Sequence, residues 1–97
     1  MQYFFVYILK CASGSYYTGH TDNLEARISQ HKQGLIEKCY TNTRLPVEVV
    51  FVQPFGSRDE AFTAERKIKG WSRQKKEALI KKDWDLISLL GKNTQTK

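Results

Sequence analysis

The sequence predicts an α+β domain whose small, mainly antiparallel three-stranded sheet is flanked by helices in the order ββαβαα. Three observations carry that prediction. Two runs rich in aromatic and β-branched residues, Tyr3 to Lys10 and Tyr16 to His20, lie on either side of the turn-forming stretch Cys-Ala-Ser-Gly-Ser and read as a hairpin. A third run of the same character, Val47 to Phe55, is the best candidate for a central strand and is closed by Pro54. The stretches between and after these runs place apolar residues at helical spacing behind capping residues.

Taken in order, the first strand alternates. Tyr3, Phe5 and Tyr7 share one face, and Phe4, Val6 and Ile8 share the other, so Tyr7 need not sit in the all-apolar layer. In the return strand Gly19 is poorly suited to a strand interior and marks a bulge or a close backbone approach. Asp22 and Glu25 have capping-box spacing, and Leu24, Ile28 and Leu35 follow at the helical period of a helix ending at Gly34. Ile36 to Pro46 is polar and irregular. Ser57 and Glu60 form a second capping box, opening a helix that stops at Gly70. Ser72 to Lys82 restarts as a short basic helix, and a last apolar helical segment ends at Gly91. Residues 1–91 are expected to form one domain and 92–97 a disordered tail.

A chain of 97 residues with 40% apolar content can bury one core but not two. The apolar run Tyr3 to Leu9 is too short to span a bilayer and lacks the flanks of an export signal, so a cytoplasmic protein without a membrane partner is expected. Cys11 and Cys39 stand 28 positions apart with no CxxC, which points to free thiols instead of a zinc site or a disulfide framework. The net charge of +6 is unevenly distributed. Between Arg66 and Lys82 eight basic residues face one acidic residue, a local +7 that leaves the remaining chain at −1. Such a block, including Arg66, Lys67, Lys69, Arg73, Lys75 and Lys76, is the electrostatic footprint of a polyanion partner, foremost nucleic acid; the alternative is a solvated lysine-rich face.

Arg27 and His31 are four apart on the first helix and border its apolar stripe, so they point together toward the sheet. Singly, each is explained by an arginine covering the core edge and a histidine with a backbone partner. Glu65 lies on or beside the inward stripe of the second long helix, where an apolar residue is usual. A buried carboxylate requires a cation or a metal, whereas an exposed one would form only an i,i+4 pair with Lys69; the pattern leaves both open.

Val6-Tyr7-Ile8, then Tyr17-Thr18-Gly19, then the helix from Thr21 to His31 and finally Glu60 to Trp71 together resemble the signature of the GIY-YIG nuclease superfamily over residues 3 to 82. The length and the stretches Tyr40 to Pro46 and Ile68 to Ile80 further resemble its small stand-alone bacterial members. The first triplet here is Phe5-Val6-Tyr7, with phenylalanine for glycine, and the second has Thr18 for isoleucine. The late asparagine that many members carry after the glutamate has no match.

The resemblance implies a metal-dependent endonuclease that hydrolyses phosphodiester bonds, with DNA ahead of RNA as substrate, in DNA repair or processing. It implies Tyr7, Tyr17, Arg27 and His31 as catalytic residues, Gly19 as a structural element and Glu65 as ligand to one Mg²⁺ or Mn²⁺. Arg27 would stabilise charge on the phosphate, and Tyr7 would orient or deprotonate water, assisted by a neighbouring positive charge or proton acceptor, for which His31 is the candidate. Arg44 joins the basic residues as a nucleic-acid contact. The alternative is a non-catalytic nucleic-acid-binding module on the same fold; a third reading makes Tyr16, Tyr40 and Trp71 stacking platforms for single strands.

Overall fold

A computed structural model of the chain describes residues 2–36 and 40–95. The elements run β1 (Phe4–Cys11), β2 (Tyr16–Thr21), α1 (Leu24–Gln33), a short 3-10 turn (Tyr40–Thr43), β3 (Val47–Phe55), α2 (Arg58–Lys69), α3 (Arg73–Ile80) and α4 (Trp84–Gln95). The expected α+β class and antiparallel sheet are present: β1 pairs antiparallel with both β2 and β3.

The strand order is β2-β1-β3, so the central strand is β1 and not β3. Burial explains why. Val6, Tyr7, Ile8 and Leu9 are all buried, which requires cover on both faces of β1, whereas β3 carries Pro54, which cannot donate to a ladder and is tolerated at an edge. One face of the sheet packs Val6, Ile8 and Phe51 against Ala61 and Ile68 of α2 and Leu79 of α3. The other packs Tyr7, Leu9, Cys11 and Val47 against Leu24 and Ile28 of α1. The β1–β3 register shifts between Ile8 and Leu9, pairing Ile8 with Phe51 but Leu9 with Val49. This bulge turns Val47 and Val49 toward α1 and Phe51 toward α2, which strict alternation would have put on one face.

Helix boundaries depart from the expected ones in several places. Asn23, not Asp22, caps α1, its side chain accepting from the Ala26 amide at 3.2 Å, while Asp22 turns to Arg58 at 3.5 Å. Gly34 adopts a left-handed conformation (φ 69°) and closes α1, with the Gly34 amide bonding to the His31 carbonyl and the Leu35 amide to that of Gln30. The chain therefore leaves the helix axis before Leu35, which is exposed and not part of the stripe. α4 continues past Gly91 to Gln95; the rest of the expected tail, Thr96 and Lys97, lies outside the described residues. Ser57 caps α2 as expected, accepting from the Glu60 amide. Cys11 is a buried free thiol, and Cys39 lies outside the described residues. Among the described residues no helix is long and apolar enough to cross a membrane.

Thr18 faces the α2 layer opposite Ile8, and its buried hydroxyl has no hydrogen-bond partner. An unsatisfied buried polar group carries a desolvation penalty that an isosteric apolar side chain lacks. Thr18→Val is expected to raise unfolding free energy by about 1 kcal/mol, read as a higher urea midpoint at unchanged slope. A lower midpoint would contradict the assignment.

Candidate active site

Tyr7 and Gly19 are directly paired across the β1–β2 ladder. The Tyr7 ring crosses the glycine so closely that a Cβ there would meet the Tyr7 hydroxyl at 2.5 Å and Cζ at 2.7 Å. Any larger residue would expel the phenol, so the close approach expected at Gly19 is what the strand needs it for. The Tyr7 hydroxyl reaches His31 Nε2 at 2.9 Å, and His31 Nδ1 reaches Thr41 Oγ1 at 2.9 Å. The Tyr17 ring lies against the same imidazole, with centroids 5.1 Å apart.

His31 and Thr41 are fully buried. Desolvation, with a smaller contribution from the nearby Arg27 guanidinium, lowers the His31 pKa to about 4. The imidazole is therefore neutral at pH 7. A neutral imidazole has one N–H donor and one acceptor nitrogen, so in either tautomer it bonds both the Tyr7 hydroxyl and Thr41 and fixes the phenol's orientation.

A polar pocket of about 310 Å³ opens at the β2 edge, lined by Tyr7, Tyr17, Gly19, His20, Thr21, Asp22, Arg27, Arg58 and Glu65. Because β2 is an edge strand and Gly19 has no side chain, groups from both faces of the sheet reach the same rim. Tyr7, Tyr17 and Arg27 come from the α1 side; His20 and Glu65 come from the α2 side. His31 is not on the pocket wall: it stands behind Tyr7.

Glu65 is 7% exposed, which resolves the alternatives left by the pattern into both at once. It is buried on the α2 stripe, and it also pairs with Lys69, whose Nζ is 2.7 Å from Oε2. The second partner is His20, whose Nδ1 contacts Oε1. The Lys69 side chain is half-exposed, so the carboxylate is desolvated while its ammonium partner keeps much of its water. His20 and Arg58 were not singled out by sequence reasoning. His20 follows Gly19 on the strand face opposite Tyr7, and Arg58 begins α2; their value depends on the docking of α2 against β2. Thr41 lies in the stretch read as irregular, where nothing distinguishes a histidine partner from a loop threonine.

The basic block divides. Lys69 reaches the pocket rim through Glu65, and Arg66 lies over the Phe62 ring at 5.6 Å. Arg73 pairs with Glu77 and covers Tyr16, and Lys75 covers Trp71. Lys76 is partly buried, and burial together with Lys69 lowers its pKa. Lys67 faces away, into a groove with Phe55 and Thr63. Arg44 sits before β3, its side chain donating to Thr43 and its carbonyl accepting from Ala12, and does not line the pocket. Of the three aromatic residues considered for stacking, Tyr16 and Trp71 pack against the core and Tyr16 donates to Glu77; the Tyr40 side chain lies outside those described.

Two outcomes follow from this geometry. As pH falls below 6.5, the unfolded state takes up a proton at position 31 before the folded state does, so stability is lost between pH 6.5 and about 4. The loss from this group reaches about 3 kcal/mol. Urea unfolding across that range should show a shallower pH slope for His31→Gln than for the parent. Gly19→Ala should destabilise by roughly 1–3 kcal/mol, and Tyr7→Phe in the same chain should recover part of that loss by removing the nearest clashing atom. A purely additive double-mutant cycle would contradict the close approach.

The model of the GIY-YIG catalytic domain matches residues 3–78 of this chain. The UPF0213 protein SH2523 of Staphylococcus haemolyticus is 49% identical over 76 residues, covering 78% of this chain and 92% of that protein. A UPF0213 protein of Staphylococcus aureus strain Mu3 is 44% identical over 77 residues, covering 79% and 93%. The solution NMR structure of the UPF0213 protein BH0048 from Bacillus halodurans is similar with a TM-score of 0.54 at 40% identity, covering 81% of this chain and 83% of that one. That of EF2693 from E. faecalis is similar with a TM-score of 0.59 at 34% identity, covering 84% and 86%. The paired tyrosines, the crossed glycine and the glutamate on α2 thus stand in a chain that belongs to the GIY-YIG family, and with it to a nuclease superfamily.

Proposed function

We propose that this protein is a divalent-cation-dependent endonuclease hydrolysing nucleic-acid phosphodiester bonds, DNA ahead of RNA, in the pocket at the β2 edge. The observation that carries the reading is the convergence of two phenols, two guanidinium groups and two carboxylates, Glu65 and the Arg58-paired Asp22, on a polar pocket large enough for a phosphodiester. Arg27 and Arg58 supply paired N–H donors for phosphate oxygens and for the charge that develops on them. Tyr7, held by His31, orients the attacking water, and Tyr17 positions the phosphate from the neighbouring strand. His31 is a positioning residue in this scheme: a buried imidazole with a pKa near 4 does not hold the extra proton at neutral pH, so the positive charge near Tyr7 is Arg27.

Among the described residues no three histidine, cysteine or acidic side chains converge as a metal cage. The donor set nevertheless fits a hard cation, because Glu65 offers carboxylate oxygens at the pocket wall and such ions complete their shells with water and phosphate oxygens. Mg²⁺ or Mn²⁺ held by Glu65 would neutralise phosphate charge and assist departure of the leaving oxygen. Lys69, half-exposed, is free to exchange its contact with Glu65 for one with phosphate.

The test is a Mg²⁺/Mn²⁺ cleavage panel on single-stranded, duplex, flap and branched DNA and on RNA. Glu65→Gln is expected to slow cleavage at least about a hundredfold with unchanged circular dichroism, and cleavage at the parental rate would remove Glu65 from the site. One observation favours the second reading, a binding module without turnover: both Glu65 oxygens are already held by protein partners. That reading predicts retention of nucleic acid with no product under either metal.

A further inference from the structure

Phe62 is 45% exposed on α2, although the core-facing residues of that helix are Ala61, Glu65 and Ile68. It stands one turn after Arg58 and three residues before Glu65, both of which line the pocket, so it lies on the pocket side of the helix. The ring is braced: the His20 imidazole meets it edge-on at 5.6 Å, and the Arg66 guanidinium lies 5.6 Å from its centroid. The residue nonetheless remains exposed. Arg58, Phe62, Arg66 and Lys69 recur at helical spacing over roughly 16 Å of one helix face, with Arg58 also paired to Asp22 and Lys69 to Glu65 while both cations stay more than half exposed. A polyanion with accessible bases complements that order, its phosphates meeting the cations and a base meeting the ring.

Resting on the nucleic-acid reading above, we propose that Phe62 is a base-stacking platform and that the substrate presents an unpaired nucleotide beside the phosphate in the pocket. An exposed aromatic face stacks only on a base that has left its own stack, so the platform selects single-stranded or locally opened substrate over intact duplex. Arg58 and Lys69 track the backbone on either side, and Arg66 supports the ring that receives the base.

The test is fluorescence anisotropy in EDTA, where binding is read without cleavage. The probes are a labelled DNA single strand of about twelve nucleotides, its duplex, and the same backbone with abasic residues. The parent protein is expected to bind the single strand at least about tenfold more tightly than the abasic strand or the duplex. Phe62→Ala should bring that preference to within about twofold and Phe62→Trp should restore it, while the salt dependence set by the cations is unchanged. A preference retained in Phe62→Ala, or parent binding of abasic strand and duplex as tight as of the single strand, overturns the proposal while leaving hydrolysis standing. Absence of any nucleic-acid binding overturns both. Phe62-dependent binding with no cleavage under either metal upholds the platform and overturns hydrolysis.

Discussion

The crossing of Tyr7 over Gly19 is the contact on which the site depends. It demands a residue without a side chain at one point of β2, because the phenol occupies the volume a Cβ would take. It demands the β1–β2 register that pairs the two residues. The hydroxyl, carried beyond the glycine, then requires a partner in a dry interior, and His31 provides it. His31 in turn requires Thr41, so the last turn of α1 and the 3-10 turn after it are tied to the central strand by one buried chain of hydrogen bonds. The left-handed stop at Gly34 lets the chain reverse so soon after His31.

Charge on the opposite side of the sheet is arranged by a different logic. Glu65 is desolvated by the packing of α2 on the sheet, and its cost is offset by one partner from its own helix, Lys69, and one from β2, His20. A neutral polar network supports the phenol and a charged one surrounds the carboxylate, and the two meet only at the sheet edge. That meeting requires β2 to be an edge strand and its midpoint to lack a side chain. In a central strand the same residues would be walled apart by the next strand's backbone.

Much of the fold was legible locally. The hairpin, the capping serine at Ser57 and the glycine stop at Gly34 are short-range physics, and runs of aromatic and β-branched residues marked the strands. The errors share a cause. Asp22 and Asn23 are both competent caps; Asn23 serves, and Asp22 faces Arg58 of α2, a partner distant in sequence. β3 looked central because its apolar run resembles that of β1, but burial on both faces is decided by which strand the helices cover. The bulge opposite Ile8 and Leu9 leaves no compositional trace, yet it decides which face each valine of β3 serves.

The sequence by itself determined the α+β class and the concentration of charge in one block, because propensity, periodicity and residue type are properties of the chain. Only the tertiary structure decided that His31 stands behind Tyr7 and not in the pocket, and that His20 and Arg58 join the site. It alone set Phe62 open beside them and turned Lys67 away. Those outcomes follow from the packing of α1 and α2 on opposite faces of the sheet at a shared edge. Contacts between residues far apart in the chain have no period or spacing from which they could be read.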